Sequence, residues 1–320
     1  MFKQVGARMK KLLGIVVALL LLGGAVEAAP QKIIIDTDVG DDIDDAFAIA
    51  LALGSPQFQI LGFMSDFGDT EARARMLDRM LDETGHGDIP VAVGIPSTAN
   101  LAGFSQRRYA EGGRLTRTDH PRAVDFLLEQ IRRHPGEITL VAIGPSPNLG
   151  AAIDKDPATF RRLKAIVMMG GSFNPVSDGF GPATAPHPEW NIKNDIPAAQ
   201  KIFASGVPLF VMPLDSTANL KLGEIGRNLL FAHGTPMTDM LAVTYHQWVY
   251  GTHGQVTPTL FDPMTLAFLL QPSLCPVTPL HVRVDEAGMT RAGPGPANAQ
   301  VCLASDPDTF QRFILTRLMQ

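Results

Sequence analysis

The stretch that most constrains this chain is a β-branched run that ends in acid. Lys32-Ile33-Ile34-Ile35-Asp36 leads straight into Thr37-Asp38-Val39-Gly40-Asp41-Asp42-Ile43-Asp44-Asp45, placing six aspartates within ten residues. The apolar run reads as a buried strand, and Gly40 permits a sharp turn out of it. Ile43, Phe47, Ala50, Leu51 and Leu53 then recur at helical spacing until Gly54-Ser55-Pro56 stops the helix. Carboxylates this close raise one another's pKa unless a cation offsets them. A hard divalent ion, Ca²⁺ or Mg²⁺ rather than zinc, suits an all-oxygen donor set. Asp38 and Asp45 are the stronger metal candidates. Asp36 suits direct ligation and a supporting role on neighbouring backbone equally well. Asp41 and Asp42 divide evenly between ligation and plain helix-dipole stabilisation.

Beyond the cluster, strands and helices alternate. Strands are expected at 58–64, 91–93, 138–143, 165–169 and 208–212, with helices at 70–83, 123–133, 148–153 and 197–204. This alternation implies βαβ units and an α/β fold: an open, mostly parallel sheet flanked by helices, Rossmann-like, in a single domain. Such sheets bind ligands at the carboxyl ends of their strands. Loops 96–117 and 172–188 are long and rich in Gly and Pro, as lids and binding loops are.

Lys3, Arg8, Lys10 and Lys11 precede an apolar stretch from Leu12 to Val26, followed by Ala28, Ala29 and Pro30. That layout predicts a secretory signal peptide over 1–28, with the folded domain over 29–320 in the periplasm or outside the cell. The apolar run of roughly 15 residues is short of the about 20 that a membrane span needs, so no stable membrane association is expected after cleavage. A formal net charge of -5 argues against nucleic-acid partners. Cys275 and Cys302 suit either a disulfide in an oxidising compartment or two buried thiols.

The residues 33–38 and Asp44-Asp45-Ala46 resemble the N-terminal fingerprint of the inosine–uridine preferring nucleoside hydrolase family, usually DxDxGxDDxxA. Here two residues are inserted, because Asp41-Asp42-Ile43 separates Gly40 from the Asp-Asp-Ala element. Four further segments match in order. They are Leu140-Val141-Ala142-Ile143-Gly144-Pro145-Ser146-Pro147-Asn148, Val167-Met168-Met169-Gly170-Gly171, Glu189-Trp190-Asn191 with Asp195 beyond, and Phe261-Asp262-Pro263. The resemblance implies hydrolysis of the N-ribosidic bond of a small-molecule nucleoside by a homo-oligomer, dimer or tetramer, with Ca²⁺ as cofactor. It implies Asp38, Asp45, Asp262 and the main-chain carbonyl of Ile143 as metal ligands, with Asp38 also the general base. Asp44, Glu189 and Asn191 would grip the ribose. The transition state is a ribosyl oxocarbenium ion, the problem that glycosidases solve.

Two departures fall on the base-binding half. The family often places a histidine, the acid that protonates the departing base, where this chain has Phe261. Help for the leaving group must then come from stacking on Trp190, Phe261 or Trp248, or from His246 or His253. Ordinary helix and loop packing is the better account of Tyr245, His246, Trp248, Tyr250 and His253. Asp69 stands where many members carry an asparagine near the ribose, and is expected to accept a hydroxyl hydrogen bond. Two rival readings exist. A haloacid dehalogenase-like phosphatase would use Asp36 as nucleophile, Asp38 as acid/base and Mg²⁺, but its later motifs are missing. An exported nucleoside- or sugar-binding protein with lost catalysis would explain Phe261.

Overall fold

Ile33, Ile34 and Ile35 are fully buried on alternate faces of one strand, and that alternation organises the domain. Ile33 and Ile35 enter one hydrophobic cluster and Ile34 the other. The computed structural model describes residues 29–98, 101–112, 117–179 and 181–320. Within it Gln31–Gln320 form one unit, while the expected signal peptide, 1–28, lies outside the described residues.

The strands are β1 (Gln31–Thr37), β2 (Phe58–Ser65), β3 (Val91–Ala92), β4 (Thr139–Ala142), β5 (Ala165–Met169), β6 (Leu209–Met212), β7 (Val277–Val284), β8 (Thr290–Gly293) and β9 (Ala299–Cys302). Among the described residues they form one nine-stranded sheet ordered β3-β2-β1-β4-β5-β6-β9-β7-β8. All pairs from β3 to β9 are parallel, and β7 runs antiparallel to both β9 and β8. Helices Asp44–Leu53, Thr70–Glu83, Pro236–Gly251, Pro263–Leu270 and Pro307–Leu318 supply one cluster. Helices Ala123–Arg133, Pro147–Lys155 and Ile196–Ala204 supply the other. Covered on both sides, the central strands carry continuous apolar runs, as parallel sheets do.

The expected α/β fold is therefore present, with two additions. The sheet does not end at β6. Instead β9 joins it in parallel and the β7–β8 hairpin finishes the edge. Cys275, just before β7, and Cys302, the last residue of β9, are joined by a disulfide with a Cα–Cα distance of 5.5 Å, which settles the choice left open by their spacing.

Candidate active site

Asp38 stands one residue beyond the carboxyl end of β1, and Ile143 one residue beyond that of β4. β4 lies beside β1, so both residues reach the same sheet edge. The turn between them and the helix Asp44–Leu53 is tightly specified. Gly40 has φ +117°, and a Cβ there would stand 2.0 Å from the Phe104 ring, so only glycine fits. Gly144 is needed for space, since its Cβ would lie 2.8 Å from Asp66 Oδ1 and 2.9 Å from Asp38 Oδ1. Arg73, 1% exposed, reaches in from the helix Thr70–Glu83. Its guanidinium donates to the carbonyls of Asp38, Val39 (2.9 Å) and Phe67 (2.8 Å), and pairs with the Asp41 carboxylate at 2.9 Å. One buried fork thus holds the acidic turn from below.

The carboxylates divide by use. Asp44, Asp45 and Asp262, all buried, present oxygens within 4.8 Å of one another. The Asp262 N–H donates to Asp44 Oδ2 at 3.2 Å, and the Thr37 hydroxyl donates to Asp45. Burial first, and then the neighbouring carboxylates, pushes all three far above the usual carboxylate range. Burial also raises Asp38 to about 7, with Arg73 opposing the rise. Desolvated like charges in one place, with only oxygen donors, form a group that a hard divalent cation would satisfy. Asp36 lies deeper. It accepts from Asn148 Nδ2 at 2.8 Å and faces the buried Asp66, an arrangement that one shared proton satisfies. Asp36 is fully buried and does not line the cavity, so it has the supporting role and cannot act as a nucleophile.

Above this floor opens a cavity of about 390 Å³, within the roughly 300–1,000 Å³ of small-ligand pockets. Asp38, Asp41, Asp42, Asp44, Asp45, Ile143, Glu189, Trp190, Asn191, Phe261 and Asp262 all line it. Glu189 caps the short helix Trp190–Asn194, taking N–H groups from Gly171 (3.1 Å), Asn191 (2.9 Å) and Ile192 (3.2 Å). Burial still leaves its carboxyl raised. Asn191 Nδ2 donates to the Met169 carbonyl at 3.2 Å, which aims the amide from the end of β5.

Three expected placements change. Asp69 is outside the cavity: it caps the helix Thr70–Glu83 through Ala72 N (3.1 Å) and pairs with Arg107 at 3.0 Å. Its carboxylate is held below the usual range by those partners, against a desolvation that raises it. His246 and His253 do not line the cavity either, and His246 packs against Tyr245 and Phe231 instead. Loop 96–117 contributes no lining residue among those described. It clamps the inserted turn, with Ser105 Oγ on Asp41 O and Gln106 Nε2 on Asp42 O, both at 2.7 Å. Sequence reading missed Arg73, Asp66, His187, Thr252 and Gln255. Only Arg73 left a trace, as a lone cation on the apolar side of a helix.

A β1-end acid cluster that could hold a metal ion lies under a small-ligand cavity on a parallel sheet, the arrangement of a hydrolase, and comparison with known proteins places it. The profile of the inosine-uridine preferring nucleoside hydrolase family matches residues 33–312. The chain is 31% identical to uridine nucleosidase 1 of Arabidopsis thaliana, over 83% of this chain and 82% of that protein. It is 30% identical to the pyrimidine-specific ribonucleoside hydrolase RihA of Citrobacter koseri, over 82% and 86%. A solved plant nucleoside hydrolase, PpNRh1, superposes with a TM-score of 0.78 at 27% identity, covering 91% of this chain and 99% of that one. The chain belongs to the inosine-uridine preferring nucleoside hydrolase family and is an N-glycosyl hydrolase.

Proposed function

We propose that the protein hydrolyses ribonucleosides to ribose and free base, with Asp38 as the general base and Ca²⁺ as its cofactor. The observation that carries this is the convergence of buried carboxylates with Glu189 and Asn191 on one cavity. Asp38, Asp45, Asp262 and the Ile143 carbonyl would hold the ion, and Asp44 is close enough to Asp45 and Asp262 to join them. When bound, Ca²⁺ would orient a water and lower its pKa. Asp38 would take the proton from the attacking water, at the carboxylate that stands one residue beyond β1 and lines the cavity. Asp44, Glu189 and Asn191 bind the ribose hydroxyls, and their fixed positions replace the orientation entropy the reaction would otherwise lose. Trp190 and Phe261 flank the base.

Export to the periplasm or medium is part of the same reading, supported by the layout of residues 1–28 and by the Cys275–Cys302 disulfide. A dimer or tetramer in solution is also expected, which light scattering reports.

The test is a ribose-release screen over purine, pyrimidine and nicotinamide ribosides, with Ca²⁺ and with a chelator. Release that the chelator abolishes supports the proposal. No release from any riboside, with calorimetric binding retained, identifies a binding protein instead. Hydrolysis of p-nitrophenyl phosphate would favour the phosphatase reading.

A further inference from the structure

Phe261 cannot give a proton to a departing base, yet the cavity holds one imidazole among its lining residues. We propose that His187 is the general acid that protonates the leaving base, an inference that rests on the riboside reading above. The rest of the lining argues for it by exclusion. Asp38, Asp44, Asp45, Glu189 and Asp262 lie buried at the floor; of the half-buried acids, Asp41 pairs with Arg73 at 2.9 Å and Asp42 turns back on the Ile43 N–H at 2.7 Å, while Trp190, Trp248, Thr252 and Gln255 can donate hydrogen bonds but do not transfer protons at neutral pH. Imidazole is the side chain that gives and regains a proton there.

The loop geometry sets its orientation. His187 lies in loop 172–188, exposed, two residues before the ribose-binding Glu189 and three before Trp190. Its Nδ1 stands 3.2 Å from the Ala185 carbonyl. A carbonyl can only accept, so Nδ1 carries the proton in that bond and Nε2 is the nitrogen left to exchange one. Glu189 feels the His187 charge, which lowers the carboxyl's pKa against the larger rise from burial. The rim position matches the geometry required, because the base must lie outward of a ribose held at the floor.

The step balances. The C1′–N bond breaks and its electron pair goes to the base. The Nε2–H proton passes to a nitrogen or oxygen of that base, leaving neutral imidazole. Water adds its oxygen to C1′ and gives its proton to Asp38. Solvent then exchanges both groups back to their starting states, so nucleoside plus water becomes ribose plus protonated base.

The experiment compares uridine and inosine with p-nitrophenyl riboside, whose leaving group is stable as an anion and needs no acid. In H187Q, nucleoside turnover should fall on the order of 10²–10⁴-fold, while p-nitrophenyl riboside turnover stays within a few-fold of wild type. H187N serves as a second variant, and the melting temperature reports folding. Equal losses on all substrates, or no loss on any, would overturn the role of His187. Failure of the wild-type protein to cleave any riboside would instead overturn the underlying reading, so the two are told apart.

Discussion

At the floor of the cavity, Asp38, Asp44, Asp45 and Asp262 are at most 5% exposed, and they stand at strand ends and helix starts. At the rim, Trp190 is 47% exposed and His187 comes from a long loop. The floor is braced from beneath by Arg73 and the loop around Phe104, whereas among the described residues the His187 ring meets a single partner, the Ala185 carbonyl. A side chain at the floor is thus held by several partners, whereas one at the rim is free to be exchanged. Changes at the floor leave buried charges unpaired; changes at the rim meet solvent.

Substitutions can break that contrast. Asp38→Ala should have the largest effect, at least ~10³-fold on kcat/KM, because it removes both the base and a candidate ligand. Ribose-release kinetics measure it, and a variant with wild-type rates would refute the mechanism. Arg73→Lys comes next. It keeps the charge but loses the fork that spans three carbonyls and Asp41, and should lower kcat by roughly 10–100-fold with a reduced melting temperature. An unchanged rate would show that the turn holds itself.

The acid floor also sets a pH dependence. Asp36 and Asp38 are pushed up to about 7 by burial, whereas carboxyls in an unfolded chain titrate near 4. Between those values the metal-free native state binds more protons than the unfolded chain, so its stability falls as pH rises from about 4 through about 7. Calcium favours the ionised forms. The melting-temperature gap between Ca²⁺-loaded and chelated protein should therefore widen by several degrees from about pH 5 to about pH 8; a constant gap would mean that these carboxyls are not desolvated. The smallest effect belongs to the rim. Trp190→Ala should raise KM about tenfold, in line with ~1–3 kcal/mol per stacked base, with kcat within about threefold.

The same contrast explains what could be read in advance. The floor was legible because a buried strand followed by acids has few physical explanations, and because Glu189-Trp190-Asn191 and Phe261-Asp262-Pro263 resemble segments of the family. Helix Ala123–Arg133 and strand Ala165–Met169 followed directly from apolar periodicity. Asp69 misled because a residue's place in a motif does not show where its side chain is spent; here a helix cap and Arg107 claim it. His187 was hidden in a loop with no periodicity, where only tertiary placement brings it to the cavity. Arg73 left only the trace of a cation on an apolar helix side, because nothing local shows that Asp38, Val39 and Asp41 stand more than thirty residues earlier.

The position of β9 has a consequence for synthesis. The strand made last in the chain is inserted between β6 and β7, which are made earlier. Until Ala299–Cys302 leave the ribosome, β6 presents an open edge with unpaired N–H and C=O groups, and β7 has no sheet to join. Chain termination between Cys275 and Ala299 leaves that edge bare and strands Cys275 without its partner. A truncated product is thus both sticky and thiol-bearing, and quality control needs no inspection of the active site to recognise it.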